Sequence, residues 1–253
     1  MIKGFSFYKY VNKKDALLII NNGTLFFTNP LNFNDPFDVF PCVPKEGLSK
    51  HYKYILRHHN ILPDVHGKKK KSTLNNINID DMRAEFSKKW AVTCFSKSPF
   101  ILPLWAHYAD NHKGCVLEFR VNSAISNYII ECLDKGCMDD EVIYPLDVVY
   151  SKKRPRLYDK DGIVTGEIAR NIILTKDEAW SYEQEMRCFR ENKQGAYPFR
   201  KDQLNRVYLG MKMNEKDVAE VTSAVKRYQE MHGHVVKIDT VSLDREEFKM
   251  TKL

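Results

Sequence analysis

Apolar and polar residues alternate along the chain in short segments of two distinct periods. Phe5-Ser-Phe-Tyr-Lys-Tyr10 has period two, the mark of a strand. Lys13 to Asn22 carries a compact apolar run, Ala16 to Ile20, behind a capping Asn12, and predicts a short helix. Asn22-Gly23 ends it, because both residues tolerate the left-handed conformation of a helix stop. Thr24 to Thr28 is then a strand, and Asn29 to Asp38, rich in Asn and Pro, an ordered loop with turns. Helices are expected at Leu48–His59 and Asp80–Lys89, flanking a flexible basic loop at His66–Asn76. Trp90–Ser96 reads as a strand, Leu104–His112 as a short helix stopped by Gly114, and Cys115–Arg120 as a strand. Further helices are expected at Asn122–Cys132, Thr165–Asp177 and, most clearly, Asn214–His232. The last has a capping Asn214 and a stripe of Val218, Val221, Ala224, Val225 and Tyr228. Strands are expected at Glu141–Tyr150, broken near Pro145, and at Met186–Arg190, Arg206–Gly210 and Val235–Asp239, before a final extended segment. Helices and strands alternate irregularly and without repeats. The pattern predicts an α+β fold in a single domain over residues 1–253, with a basic helical insertion at about 43–89.

Composition narrows this picture. With 43% hydrophobic and 29% charged residues the chain can build a core. No run approaches the roughly 18 apolar residues of a membrane span, and the N-terminus lacks the apolar stretch of a signal peptide. A cytoplasmic protein without membrane contact is expected. The six scattered cysteines, in apolar settings such as Val92-Thr-Cys-Phe, read as reduced and buried. No C-x-x-C pair exists, so no metal is expected. The net charge of +7 is uneven: Lys45 to Lys89 holds eleven Lys and Arg against five Asp and Glu. This stretch includes Lys68, Lys69, Lys70 and Lys71, a run that attracts polyanions and would contact nucleic-acid phosphates. Walker, G-x-G-x-x-G and G-x-S-x-G fingerprints are absent, although folds without them also bind NAD.

Three constellations could carry chemistry. In Trp180-x-Tyr-Glu-x-Glu-x-Arg187, Glu183 and Glu185 alternate and would share a face with Arg187 if they enter the following strand. Arg187 could then hold one carboxylate ionised while the other acts on a substrate. In Leu104-Trp-Ala-His-Tyr-Ala, Trp105 and Tyr108 lie three apart on the expected helix and could stack on a flat ring, with His107 adding a titratable group. Tyr8-Lys-Tyr10 and Asn34-Asp-Pro-Phe37 could grip a ribose and phosphates. The bland readings are a salt-bridge cluster, core packing and ordinary turn chemistry. Trp90 and Trp180 read as structural.

The order Y-x-Y, short helix, G-x-L-x-x-T, N-D-P-F, C-F-S, L-W-A-H-Y-A-x-x-H-x-G and W-x-Y-E-x-E-x-R spans nearly the whole chain. It resembles a widespread bacterial domain-of-unknown-function family. More distantly it is similar to the ADP-ribosyltransferase superfamily, including the DarT-like toxins that modify DNA. That likeness lies in an initial strand–helix–glycine–strand, a central strand ending in Ser, and a late glutamate before a strand. The resemblance implies an ADP-ribosyltransferase-like mixed or antiparallel sheet core with helical insertions, and NAD as co-substrate. It makes Glu185 the catalytic carboxylate and Glu183 the accessory one, beside Arg187. It gives Ser96 the serine-motif role and sets the first-strand position at Tyr8, Lys9 and Tyr10, with Lys9 where Arg or His is usual. Asn34, Asp35, Trp105, His107 and Tyr108 complete the expected cofactor contacts. A toxin or phage-defence effector acting on nucleic acid or protein is implied, with an antitoxin or regulator as partner. Two alternatives stand beside it. One is a metal-dependent nuclease using Glu183, Glu185, Asp35 and a histidine; the other is a non-enzymatic nucleic-acid-binding module built on the basic segment.

Overall fold

The computed structural model describes residues 4–58, 79–135, 141–191 and 194–252. The first half of the chain forms β1 (Phe5–Val11), α1 (Lys13–Asn22), β2 (Thr24–Phe27), α2 (Leu48–His58), α3 (Ile79–Lys88), β3 (Trp90–Ser96) and α4 (Leu102–His107). Next come β4 (Cys115–Val121), α5 (Ser123–Lys135), β5 (Leu146–Asp147), β6 (Val149–Tyr150), α6 (Gly166–Ile173), β7 (Thr175–Lys176) and β8 (Glu185–Glu191). The chain continues through β9 (Gly195–Pro198), β10 (Leu204–Leu209), α7 (Glu215–His232), β11 (Lys237–Leu243) and β12 (Met250–Lys252). The fold is α+β. Its main sheet has the order β12-β11-β10-β4-β1-β3-β8-β5. It is mixed: β10 and β11 run parallel and the other neighbours antiparallel. Two small ladders, β2–β9 and β6–β7, flank it.

The period-two pattern decides which residues face which layer. On one face Phe7, Leu117, Phe119 and Val207 pack with Ile20 of α1 and Val221 and Val225 of α7. Burying each such side chain stabilises by about 1.5–3 kcal/mol. The opposite face carries Tyr8, Tyr10, Val116 and Tyr208 against Trp105 of α4. A separate cluster of Val39, Phe86, Val92, Tyr158, Ile172 and Ile173 lies under α3 and α6. Helix α1 keeps its expected bounds: the Asn12 side chain accepts from the Asp15 N–H, and Gly23 takes φ 60°.

Several expectations change. The helix expected at 104–112 starts two residues earlier, where Pro103 suits the first turn. It stops at His107, and positive φ at Asp110, Asn111 and His112 prevents its continuation. The helix expected to reach Asp177 ends at Ile173, and its last turn is the strand β7. Of the strand expected at 141–150 only two dipeptides pair, and β11 begins at Lys237. Helices α2 and α3 match the two helices expected at 48–59 and 80–89 to within a residue or two, while the basic loop expected at 66–76, with Lys68 to Lys71, lies outside the described residues. Among the described residues, no helix is long and apolar enough to cross a membrane. Cys42, Cys94, Cys115 and Cys188 are free thiols, but only Cys115 is fully buried.

Candidate active site

Strands β1 and β3 are neighbours yet meet at a single register pair, Tyr8 with Ser96. Ser96 in turn pairs with Glu185 on β8. Beyond Tyr8 the two strands separate, and Lys9 bridges the gap through its Nζ, which donates to Thr93 Oγ1 at 2.9 Å and to the Cys94 carbonyl at 3.0 Å. The separation opens a cavity of about 720 Å3. Tyr8, Lys9, Tyr10, Asn34, Ser96, His107, Tyr108, Glu183 and Glu185 all line it, so the segments singled out in the sequence converge on one space.

The two glutamates reach that space by different routes. Glu183 ends a 3-10 turn, Glu178–Glu183, which the Asp177 side chain caps by accepting from the Ala179 N–H. Gln184 is left-handed at φ 49° and folds the chain back, so that Glu185 starts β8 beside Glu183. Ser96 Oγ donates to the Glu183 carbonyl at 2.7 Å, and the Lys97 N–H donates to the Gln184 carbonyl at 3.0 Å; both pin the corner. Glu185 and Arg187 share one face of β8, as expected. Glu183 joins them through the corner and not through the strand.

Five charged side chains, all at most 5% exposed, meet there. Arg187 grips Glu185 with two bonds, Nε to Oε1 at 2.7 Å and Nη2 to Oε2 at 3.0 Å. Its Nη2 also donates to Asp38 Oδ2 and its Nη1 to the Ile173 carbonyl, each at 2.7 Å. Lys176 Nζ donates to Glu183 Oε2 at 2.5 Å and to Glu185 Oε2 at 2.9 Å, and sits 3.8 Å from Asp38 Oδ2. Three carboxylates face two cations, which leaves one formal negative charge on the cavity floor. Burial alone would raise the Glu185 carboxyl, but the Arg187 guanidinium and the Lys176 ammonium outweigh it and hold Glu185 down at about 2. For Asp38 burial wins over Arg187, and the carboxyl is raised. Burial opposes the Lys176 charge, yet Glu185, Asp38 and Glu183 together raise its affinity for the proton. Tyr108, raised by burial and by Glu183, donates to Glu183 Oε1 at 2.9 Å. Burial lowers the Lys9 ammonium and raises the Cys94 thiol beside it.

Some expected contacts fall elsewhere. Trp105 is fully buried, its indole N–H donates to the Pro99 carbonyl at 2.8 Å, and it is not on the cavity wall. The helix ends between Trp105 and Tyr108, so the two rings do not share a face that opens to solvent. Asp35 is also off the wall; its carboxylate accepts from the Phe37 N–H at 2.8 Å and shapes the loop. Arg187 lies behind the carboxylates and not on the cavity surface. Trp90 packs against Phe86 and Phe189, while the half-buried Trp180 lies over the Lys176 ammonium at 5.0 Å. Sequence reasoning missed Lys176 and Asp38. Lys176 was hidden inside an expected helix, and Asp38 closed a loop read for its turns. Among the described residues, no group of three or more His, Cys, Asp or Glu is set to hold a metal ion. The carboxylates here converge on Lys176 and Arg187 instead.

Residues 104–188 match a family model described as a protein of unknown function (DUF2971), and the chain is similar to that family over this segment. The matched span runs from α4 to β8 and holds Tyr108, Lys176, Glu183, Glu185 and Arg187, whereas β1, Asp38 and Ser96 precede it. No curated protein and no solved structure gives a significant match.

Proposed function

We propose that the cavity binds NAD and that the protein transfers ADP-ribose from it to a nucleic-acid or protein acceptor, as a toxin or phage-defence effector would. The observation that carries this reading is the row Tyr8, Ser96, Glu185, one residue from each of three adjacent strands, all lining one cavity. These are the positions to which the resemblance to ADP-ribosyltransferases assigned the first-strand, serine and glutamate roles, and they lie some ninety residues apart in sequence.

The residues present suit such a ligand. The cavity falls in the volume range of small-molecule sites. Its walls offer aromatic rings at Tyr8, Tyr10 and Tyr108, amides at Asn32 and Asn34, and the Lys9 ammonium for a phosphate. One buried carboxylate oxygen on Asp38 has no partner. Bound NAD would supply a nicotinamide–ribose bond whose breakage develops positive charge on the sugar. Arg187 and Lys176 keep Glu185 ionised, so a fixed negative charge stands in a site from which protein excludes most water. Ser96 acts through the Glu183 carbonyl and sets the position of the second carboxylate. Arg187 touches only protein groups and is therefore a positioning residue.

Incubation with adenylate-labelled NAD and cell lysate, treated with nuclease or with protease, tests the reading. The wild type is expected to release nicotinamide and to label a fraction that one of the two treatments removes. Glu185→Gln should melt at a lower temperature than the wild type, since it leaves Arg187 and Lys176 with less buried negative charge, yet remain folded at the assay temperature and lose about a hundredfold or more in turnover. Wild-type turnover by that variant, or no NAD consumption by the wild type in either lysate, would refute the proposal.

A further inference from the structure

Nearly every carboxylate oxygen on the cavity floor is already engaged. Glu183 Oε1 accepts from Tyr108 and Oε2 from Lys176. Glu185 Oε1 accepts from Arg187, and Oε2 from both Arg187 and Lys176. Asp38 Oδ2 accepts from Arg187. Asp38 Oδ1 alone in this cluster is buried without a hydrogen-bond partner, on a residue that lines the cavity. Buried carboxylate oxygens are costly to leave unpaired, so a native fold keeps one only where something else fills the need. Four other buried side-chain atoms lack a hydrogen-bond partner among the described residues, on Arg83, Trp90, His112 and Arg206, and none of these residues lines this cavity.

The backbone next to Asp38 points the same way independently. Val39 has φ 50°, a conformation that a β-branched residue rarely adopts. Such strain persists only where the surroundings enforce it, and it gathers at functional sites. Here the Val39 side chain is buried with Phe86, Val92 and Tyr158, and its carbonyl accepts from Ser87 Oγ at 3.1 Å. On the other side the Asp35 carboxylate and carbonyl turn the chain by accepting from the Phe37 and Asp38 N–H groups. The loop thus holds Asp38 against Arg187 at the cost of an unfavourable dihedral and an unmet oxygen.

We infer that Asp38 is a ligand-binding residue of this cavity, its Oδ1 accepting a hydrogen bond from a ribose hydroxyl of the bound nucleotide. The inference rests on the NAD reading above and adds to it a carboxylate outside the glutamate pair. Calorimetric binding of NAD to the wild type and to Asp38→Asn tests it, together with NAD analogues that each lack one ribose hydroxyl. Asp38→Asn keeps an oxygen for Arg187, so the melting temperature should stay close to that of the wild type. Its affinity for NAD should fall by about ten- to a hundredfold, the usual worth of a hydrogen bond to a charged group. One deoxy analogue should lose a similar factor on the wild type and nothing further on Asp38→Asn, because the two changes remove the same bond. Should Asp38→Asn fail to fold, Asp38→Glu carries the same comparison, since it keeps the charge and displaces the oxygens. A loss below tenfold, or losses that simply add between ligand and protein, would overturn the Asp38 inference while NAD binding stands. A wild type that does not bind NAD at all would overturn both.

Discussion

Replacing Lys176 by methionine probes the logic of the charged cluster. The substitution keeps a linear side chain of similar length in β7 and removes one of two cations facing three carboxylates. Glu183 would keep only the Tyr108 hydroxyl, and Glu185 and Asp38 would have Arg187 as their one remaining cation in the cluster. Lys176 and its three partners are all at most 5% exposed, so water cannot make up the loss. Breaking a buried pair from one side leaves an uncompensated charge and costs about 3–5 kcal/mol. The cost should depend on pH. Asp38, already raised by burial, would rise further without the Lys176 ammonium. A carboxyl whose folded value exceeds its unfolded one loses stability as pH rises from the unfolded value to the folded one. Each pH unit in that window is worth about 1.4 kcal/mol. Urea unfolding at pH 5 and pH 8 should therefore give a larger loss at pH 8. The double variant Lys176→Met/Glu183→Gln, which removes one of the stranded charges, should recover part of it. A loss under about 1 kcal/mol, or an equal loss at both pH values, would mean that the cluster is not the buried, mutually dependent network described here.

Glu185 should give the opposite pH signature. Its carboxyl is held at about 2 against an ordinary 4.5, so it adds stability that is complete above pH 4.5 and lost as pH falls towards 2. The gap is worth about 3 kcal/mol, and Glu185→Gln should flatten the acid-unfolding curve over that window; an unchanged curve would contradict the assignment. Gly114→Ala should destabilise by about 1–3 kcal/mol, because a Cβ there would lie 2.3 Å from the Val11 carbonyl oxygen and 2.9 Å from the Ala109 backbone. A normal melting temperature for that variant would show that the β1 terminus yields easily.

By itself the sequence determined the elements whose signals are local. The alternation at Phe5–Tyr10 marks β1, the mostly apolar segment Trp90–Ser96 marks β3, and the Asn12 cap and Gly23 stop bound α1, since such patterns and capping act within a few residues. Glu183, Glu185 and Arg187 were legible for the same reason: their spacing lies within one short segment. Tertiary structure decided the rest. Strand β9 carries Gly and Pro and becomes a strand only because β2 pairs with it. Gly114, read as a helix stop, is required instead by the close approach of the Val11 and Ala109 backbones. Lys176 follows an apolar run, Ile172-Ile-Leu174, that fits helix and strand equally, and only its pairing with β6 turned it into the cluster. Asp38 lies 149 residues from Arg187, and no pattern along the chain could bring the two together. A buried charge chooses its partner through the folded neighbourhood that removes water from both, and that neighbourhood exists only once the sheet has formed.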